Sequence, residues 1–411
     1  MDTTLDDPGV IRRSMQAAQR RKTRRALLLV APLALFLLLI FVIPIASLLT
    51  RAIDNPEVIQ TLPRTLQALQ QWDGRTEPPD AAFQALAQDL AQAKNSPGAG
   101  ELARRLNYEI SGYRSLIFKT LRHMPIQATG DNPARKQLVD LDKRWAEPTY
   151  WAVIASNNKT WTPYYLLASL DLKLDANGQV AAVPPGTSAF QAIFSRTFIM
   201  SLVVTLVTLV LGYPLAYWIT RLSKRRANLV LICILIPFWT SVLVRIAAWV
   251  VLLQREGLIN KALTSLGLIS EPLPLLFNRL GVYIAMVHIL LPFMVLPLYS
   301  VMQSVPASYQ RAAISLGSHP FAAFWRIYVP QTYPGIVAGS LLVFIIAIGY
   351  YITPALLGGA GDQMVSYYVA YFTNQTINWG MASALGLLLL AGTLLLYALY
   401  RRISGRELAL S

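Results

Sequence analysis

The chain has 411 residues, of which 55% are hydrophobic and only 14% are charged. Soluble domains carry about a quarter charged residues, so this composition excludes an ordinary soluble protein and indicates an integral membrane protein. The formal charge of +15 would suit nucleic acid, but the basic residues cluster beside apolar runs, which favours membrane lipid and topology instead. Cys233 is the only cysteine, so the sequence allows neither an intrachain disulfide nor a cysteine metal site.

The beginning of the chain predicts a cytoplasmic tail followed by a first membrane span. Residues 1–25 carry seven Lys/Arg, and residues 26–50 form an uncharged, mostly apolar run. A signal-peptide core has about 7–15 residues, so this longer run predicts a transmembrane helix that enters from the cytoplasm.

Residues 51–194 differ in composition and predict an extracytoplasmic insert. They hold 15 Lys/Arg against 14 Asp/Glu, and no apolar run there is long enough to cross a bilayer. Amphipathic patterns predict helices around 57–72, 80–93, 99–124 and 133–146. After Pro148 the pattern favours strands, over 150–156, 161–174 and 179–184, the last two joined by a turn at 175–178.

The rest of the chain, 195–411, predicts a membrane core. Five more apolar runs lie near 196–220, 229–253, 281–303, 335–357 and 381–400, which makes six predicted spans. Basic clusters at 221–226 and 401–406 mark alternate loops, so both termini are predicted to be cytoplasmic. The loop 358–380 has no Lys or Arg and is predicted to lie outside, with a short helix at the interface.

The segment 304–334 lies between two predicted spans but has the pattern of two short helices joined by a turn. Ser304 and Pro306 favour a helix start, Gly317 a stop, Ser318 a second N-cap, and Pro330 the end of the second helix. Two helices held at an angle would present a shaped surface to a partner in the aqueous phase.

This segment resembles the EAA loop of permease subunits of bacterial ABC importers, in which the loop docks on an ATPase subunit. The resemblance rests on residues at matching spacing, namely Arg311, Ala312, Ala313, Gly317, Ile327 and Pro330. Arg311 stands where the family has Glu, and Val329 stands where it has Leu.

Residues 195–400 also resemble the spermidine/putrescine class of these permeases. The resemblance implies an all-α integral membrane protein of the ABC importer permease type, with six transmembrane helices, in the bacterial inner membrane. It further implies a second permease subunit (a different chain or a second copy), two ATP-binding subunits and a periplasmic substrate-binding protein. ATP and Mg would bind the partner ATPase, and this chain would hold no cofactor. Polyamines are the expected solute; because the 51–194 insert exceeds what the compact members would carry, opines, quaternary amines and ferric ion stay open.

The sequence predicts no enzyme and no metal site. It has no GxxxxGK[ST] phosphate-binding motif, and its three histidines, His123, His288 and His319, lie far apart. His288 is interpreted as a core residue of the fourth span. The predicted spans contain no Asp or Glu, which argues against an ion-coupled transporter. A non-transporting receptor, with the insert as its sensor, is the alternative from another class.

Candidate residues of a substrate pathway lie around predicted kinks. Proline removes a helix hydrogen bond, and transport paths often form where spans are broken. Aromatic faces attract ammonium groups, although core packing would explain the same rings. Arg245, the one charge well inside a predicted span, either snorkels to the interface or pairs with Glu256 or Asp362. The candidates are Trp239, Arg245, Trp249, Tyr350, Tyr351 and Asp362.

Overall fold

The computed structural model describes residues 8–126, 133–174, 179–184, 186 and 188–408. The described chain is mostly helical and divides into two compact units, Met1–Thr162 and Pro163–Ser411. The predicted turn at 175–178 lies outside the described residues.

The first unit begins with a long apolar helix. It consists of α1 (Pro8–Leu37), a π-helical turn (Leu38–Val42) and α2 (Ile43–Thr50). The stretch Arg21–Thr50 is long and apolar enough to cross a membrane, and its apolar side chains are exposed within the chain. This stretch coincides with the first predicted span.

The remainder of the first unit is a bundle of short helices. They are α3 (Pro56–Thr61), α4 (Pro63–Ala68), α5 (Asp80–Ala93), α6 (Pro97–Glu109), α7 (Tyr113–Arg122), α8 (Ala134–Leu141), a 3₁₀ turn (Lys143–Ala146) and α9 (Pro148–Ser156). Several start with proline, whose fixed φ and missing N–H suit the first turn of a helix. The predicted helix over 99–124 is interrupted before α7, where Gly112 takes a φ of +94°.

The strand predicted over 150–156 is wrong, because this segment forms α9. Its buried residues Tyr150, Trp151 and Ile154 recur at helical spacing, and Pro148 starts the helix. Trp151 packs on Phe83 with ring centroids 4.5 Å apart. Burial of one helical face therefore outweighs the strand preference of the aromatic and β-branched side chains.

The bundle closes on itself where the chain enters and leaves it. The N–H of Asn55 donates to the carbonyl oxygen of Thr160 at 2.9 Å. Fully buried Arg105 donates to the side-chain oxygens of Asn55 at 2.9 Å and Asn157 at 2.7 Å, and pairs with Glu109 at 2.8 Å. The two ends of the bundle are therefore joined at one place.

The second unit begins earlier than the predicted insert boundary at 194. It starts with α10 (Tyr164–Ala168) and an antiparallel pair, β1 (Leu172–Leu174) and β2 (Val180–Ala182). The only strands in the described part of 161–184 are thus these two short ones. The Asp171 carboxylate accepts three backbone N–H groups, from Ala189, Phe190 and Gln191, and so caps the next helix. This cap places the segment with the membrane helices.

The remaining elements of the second unit follow in chain order. They are α11 (Phe190–Thr220), α12 (Lys224–Leu235), a 3₁₀ turn (Ile236–Trp239), α13 (Val242–Leu253), α14 (Leu258–Ser265), α15 (Arg279–Ser304), α16 (Ala307–Ser315), α17 (Pro320–Ala323), a π-helical turn (Phe324–Tyr328), α18 (Val329–Gly349), α19 (Ile352–Leu357), a 3₁₀ turn (Ala360–Asp362), α20 (Val365–Asn374) and α21 (Trp379–Leu408).

Helices α11, α15 and α18 form the centre of this unit. Met294 of α15 lies against Gly212 of α11 and Gly339 of α18, and a Cβ at either glycine would come within 3.0 Å of its side chain. Gly335 lies against the backbone of α15 at Pro297 and Leu298. Glycine at these positions permits the close approach of the three helices.

The described residues contain five helices that are long and apolar enough to span a membrane, or up to six if a bent pair counts as one span. The bent pair is Lys224–Trp239 with Val242–Ser265, which meet at 99°. The third predicted span, 229–253, is therefore not one straight helix, because Pro237 ends the first part and Thr240 takes an extended conformation.

The fifth predicted span is also displaced. The helix continues from the preceding loop as Pro320–Gly349, then breaks at Tyr350 and Tyr351 before α19. The predicted range 335–357 runs across this break. Tyr350 is extended, with a ψ of 130°, so the last turns of the predicted span form a separate helix.

Candidate functional site

The first predicted site is the helical loop 304–334, and the structure gives it the predicted helix–turn–helix form. Helix α16 starts after Pro306, and Gly317 follows its end with a φ of +91°. The N–H of Ser318 donates to the carbonyl oxygen of Ala313 at 3.1 Å, which closes the helix end in the manner of a glycine C-cap. Gly317 is therefore the helix stop that the sequence predicts.

Two details of the second helix differ from the prediction. His319, not Ser318, is the N-cap, because its Nδ1 accepts the N–H of Phe321 at 3.3 Å. Pro330 does not end the helix, which continues through the π-helical turn Phe324–Tyr328 into α18. A π-helical turn widens the backbone ahead of Pro330, so that its ring does not force a break.

The loop exposes more apolar surface than a solvated connection requires. Leu316 is 89% exposed, Phe321 68% and Trp325 54%. Among the predicted loop residues, Arg311, Ala312, Gly317 and Pro330 are exposed, whereas Ala313 and Ile327 are half-buried. Exposed apolar side chains on a shaped surface are typical of a protein interaction site. The motif spacing did not single out Leu316, Phe321 or Trp325.

The second predicted site lies at the broken spans, where α13 packs against α15 and α19. Trp249 donates its indole N–H to Nδ1 of His288 at 3.3 Å, with ring centroids 5.3 Å apart. Arg245 lies four residues before Trp249 and so shares its face of α13. The structure therefore brings Arg245 and Trp249 to one face of α13 and adds His288, which the sequence analysis assigned to the core, while Tyr350 packs on the same apolar core.

The side chain of Arg245 has no acidic partner among the described residues. The Nε atom of Arg245 is buried and makes no hydrogen bond to a described residue, and no ion pair between described residues includes Arg245. The two predicted partners are elsewhere. Glu256 is exposed beyond the end of α13, and Asp362 pairs with Arg279 at 2.8 Å.

The other predicted pathway residues are more dispersed. Trp239 is 78% exposed at the 99° bend, where its neighbour Phe238 packs on Phe293 at 4.8 Å. Tyr351 is exposed at the break before α19. Neither belongs to the cluster around Arg245.

Asp362 belongs to a clamped loop between α19 and α20. Its carboxylate accepts from Arg279 and from the N–H of Gly359, and it is buried. Arg196 of α11 donates to the carbonyl oxygens of Gly361 and Gln363 in the same loop. Two arginines from different helices thus fix this loop. The sequence analysis missed both arginines, because they are distant from the loop in sequence and reach it only in the folded chain.

The described residues hold no group of three or more His, Cys, Asp or Glu side chains that could bind a metal ion.

The chain is similar to several known transport proteins. The family profile described as "Binding-protein-dependent transport system inner membrane component" matches residues 208–407. The spermidine/putrescine transport system permease protein PotB of Haemophilus influenzae is 37% identical over 204 residues, which are 49% of this chain and 71% of that protein. PotB of Escherichia coli is 37% identical over 199 residues, which are 48% of this chain and 72% of that protein. The sulfate transport system permease protein CysT of Synechocystis is 28% identical over 233 residues, 56% of this chain and 78% of that protein.

The chain therefore belongs to the inner membrane components of binding-protein-dependent transport systems, as a permease component of an ABC importer. This confirms the resemblance drawn from the loop and from residues 195–400. The several apolar helices agree with a multi-pass membrane protein.

Proposed function

We propose that this permease moves polyamines, or a closely related small cation, into the cell. The observation that carries the proposal is the 37% identity to a spermidine/putrescine permease over 204 residues, which are 71% of that protein. The aromatic side chains at the two broken spans support it, because their faces attract ammonium groups. In this proposal Trp239, Trp249, Tyr350 and Tyr351 guide the solute.

ATP hydrolysis takes place on two separate subunits that dock on the loop 304–334, so this chain is not the enzyme and needs no cofactor. The exposed side chains of Leu316, Phe321 and Trp325 supply apolar contact area for such a partner. Arg311 of the same loop is also exposed, so its charge either faces the ATPase or remains in solvent. ATP and Mg would be held by the ATPase.

The topology is proposed to have six spans, with the bent pair counted as one, and both termini cytoplasmic. The insert after the first span then lies on the outer side. There it would work beside a second permease subunit and a periplasmic substrate-binding protein. Single cysteines at Arg75 and Ser223, both exposed, would test this in a Cys233→Ala background. Labelling of the two from the same side of the membrane would rule the topology out.

The solute itself is tested by competition. Cells that take up labelled spermidine through this system receive excess unlabelled putrescine, spermidine, a quaternary amine or sulfate. Competition by the polyamines alone is expected. Trp239→Ala and Tyr350→Ala should lower the uptake rate without changing the order of preference, because specificity would reside on the binding protein. Tyr397→Ala, at an exposed tyrosine of α21, is the matched control.

One observation favours a second candidate, a solute that carries an anionic group such as an opine. Arg245 has no acidic partner among the described residues, and an unpaired guanidinium is a natural partner for a carboxylate. Competition by a carboxylate-bearing amine, without competition by polyamines, would favour this candidate and refute the polyamine proposal.

A further inference from the structure

A single arginine connects the end of helix α11 to the docking loop. Arg221 is the residue directly after α11, and its Nη2 donates to Oε1 of Gln310 on α16 at 3.0 Å. The same nitrogen donates to the hydroxyl of Tyr217 at 2.6 Å, and the guanidinium lies 4.7 Å from the centroid of the Tyr217 ring. Arg221 is thereby held between a ring of α11 and an amide of the loop.

An aromatic cluster ties α11 to the second arm of the loop. Tyr217 meets Phe324 and Tyr328 edge-on, each with ring centroids 5.2 Å apart, and these two rings stack on each other at 5.7 Å. One turn before Tyr217 on α11, the hydroxyl of Tyr213 forms a hydrogen bond with Oγ1 of Thr332 on α18 at 2.9 Å. Phe324 and Tyr328 are the first and last residues of the π-helical turn.

These contacts matter because of how the loop is joined to the membrane helices. The loop is covalently continuous with α15 before it and with α18 after it. Helix α11, the third member of the central group, is not covalently continuous with the loop; among the described residues it packs on α15 and α18 and contacts the loop through side chains. Any displacement of the loop would move α15 and α18 directly, whereas α11 would follow through non-covalent contacts, both with these two helices and with the loop itself.

We propose that Tyr217, Arg221 and Gln310 form a link that makes α11 move with the loop. This rests on the proposed docking of the ATPase subunits on 304–334. The three are positioning residues, since none of them would touch the solute. The basic cluster 221–226 thus contains one arginine with a specific structural partner, in addition to its expected role in topology. Loss of the link should leave the ATPase bound but allow α11 to lag behind the loop.

The direct test measures the distance between the loop and α11. Spin labels are placed at Ser308 on α16 and at Val210 on α11, both exposed, in a Cys233→Ala background. The full complex is measured by double electron–electron resonance with and without ATP. One narrow distance distribution in both states is expected for the intact link. Arg221→Gln and Gln310→Ala should each broaden it. Unchanged distributions in both variants would overturn the link.

The functional test compares labelled spermidine imported with ATP hydrolysed in proteoliposomes. Arg221→Gln and Gln310→Ala are each expected to lower this ratio several-fold, and the double variant should be no worse than either alone, because both remove one interaction. Arg225→Gln removes the same charge from the same basic cluster and should keep the native ratio. An equal fall in Arg225→Gln, or additive losses in the double variant, would contradict the link.

Copurification of the ATPase with each variant distinguishes a failure of the link from a failure of the proposed docking on 304–334. Native amounts of ATPase are expected with every variant. If Gln310→Ala loses the ATPase, Gln310 is a docking residue and the link is refuted. If the unaltered chain brings down no ATPase, the docking proposal itself fails.

Discussion

Gly317 tests how the loop is built, because its backbone conformation disfavours a side chain whereas its surroundings leave room for one. Its φ of +91° lies in the left-handed region, where side chains with a Cβ are strained. No atom lies within 4 Å of the position that a Cβ would occupy. A substitution there is therefore opposed by backbone strain alone and not by lack of space.

The strain sets the expected size of the effect. An L-residue in the left-handed conformation costs about 1–2 kcal/mol, which corresponds to an about 5- to 30-fold fall in the correctly folded turn. Asn tolerates this conformation better than most residues, and a β-branched residue tolerates it worst. Uptake per ATP should therefore fall in the order Gly, Asn, Ala, Val, with Gly317→Asn close to native and Gly317→Val nearly uncoupled.

The assay is the ratio of labelled spermidine imported to ATP hydrolysed, in proteoliposomes that hold the complete importer. Protein yield and membrane insertion should be unchanged in all three variants, since the turn is exposed. Native coupling in Gly317→Val would refute a role for this turn. Equal losses in Gly317→Asn and Gly317→Val would show that contact with the partner, and not φ, limits the position.

Three further predictions concern stability and charge. In the insert, hydrogen bonds from Arg144, and then from Lys119, hold the pKa of the Asp142 carboxyl well below its usual range. The resulting stability is present above the unfolded pKa of about 3.9 and is lost as pH falls through the folded pKa. Asp142→Asn should thus lower the melting midpoint by a few degrees at pH 7 and by less at pH 3, as read from tryptophan fluorescence; an equal loss at both values would contradict this. A Cβ at Gly339 would lie 2.8 Å from Sδ of Met294, so Gly339→Val should destabilise the membrane unit by about 1–3 kcal/mol, whereas Gly349→Val, with nothing within 4 Å, should melt like the native chain in detergent. Arg245→Gln should leave spermidine uptake equal or faster, and a tenfold slower initial rate would refute a cationic solute.

The sequence predicted the features that depend on local spacing. The loop is the clearest case, since Ser304, Pro306 and Gly317 correctly predicted the first helix and its stop, although Ser318 and Pro330 misplaced the ends of the second helix. The broken third span was harder, because Pro237 indicates a kink but the residues on both sides of it remain apolar, as in one continuous span. Hydropathy records that a segment is apolar, but it does not record the 99° bend between its halves.

The candidate site was predictable only in part, for a related reason. Arg245, Trp249 and Tyr350 could be proposed from their residue types, but the choice of partners depends on packing between helices far apart in sequence. Asp362 pairs with Arg279, which is 83 positions away, and not with Arg245. His288 reaches Trp249 from a different span. None of these pairings has a local signal in the sequence.

The orientation of Arg245 bears directly on how a cation could pass. Two like charges 4 Å apart repel by about 4 kcal/mol at an effective dielectric constant of 20, so a polyamine with several charges would avoid an unshielded guanidinium. Arg245 shares the face of α13 that carries Trp249, the partner of His288, whereas Leu243, Val244 and Val251 of the same helix are exposed elsewhere on it. Trp239 is exposed as well. In the proposed path, a cation that passes by Trp239 would meet an aromatic face and would not need to pass Arg245. Uptake that survives Arg245→Gln but falls in Trp239→Ala would therefore assign the path to Trp239, and the reverse pattern would assign it to the Arg245 cluster and to an anionic group on the solute.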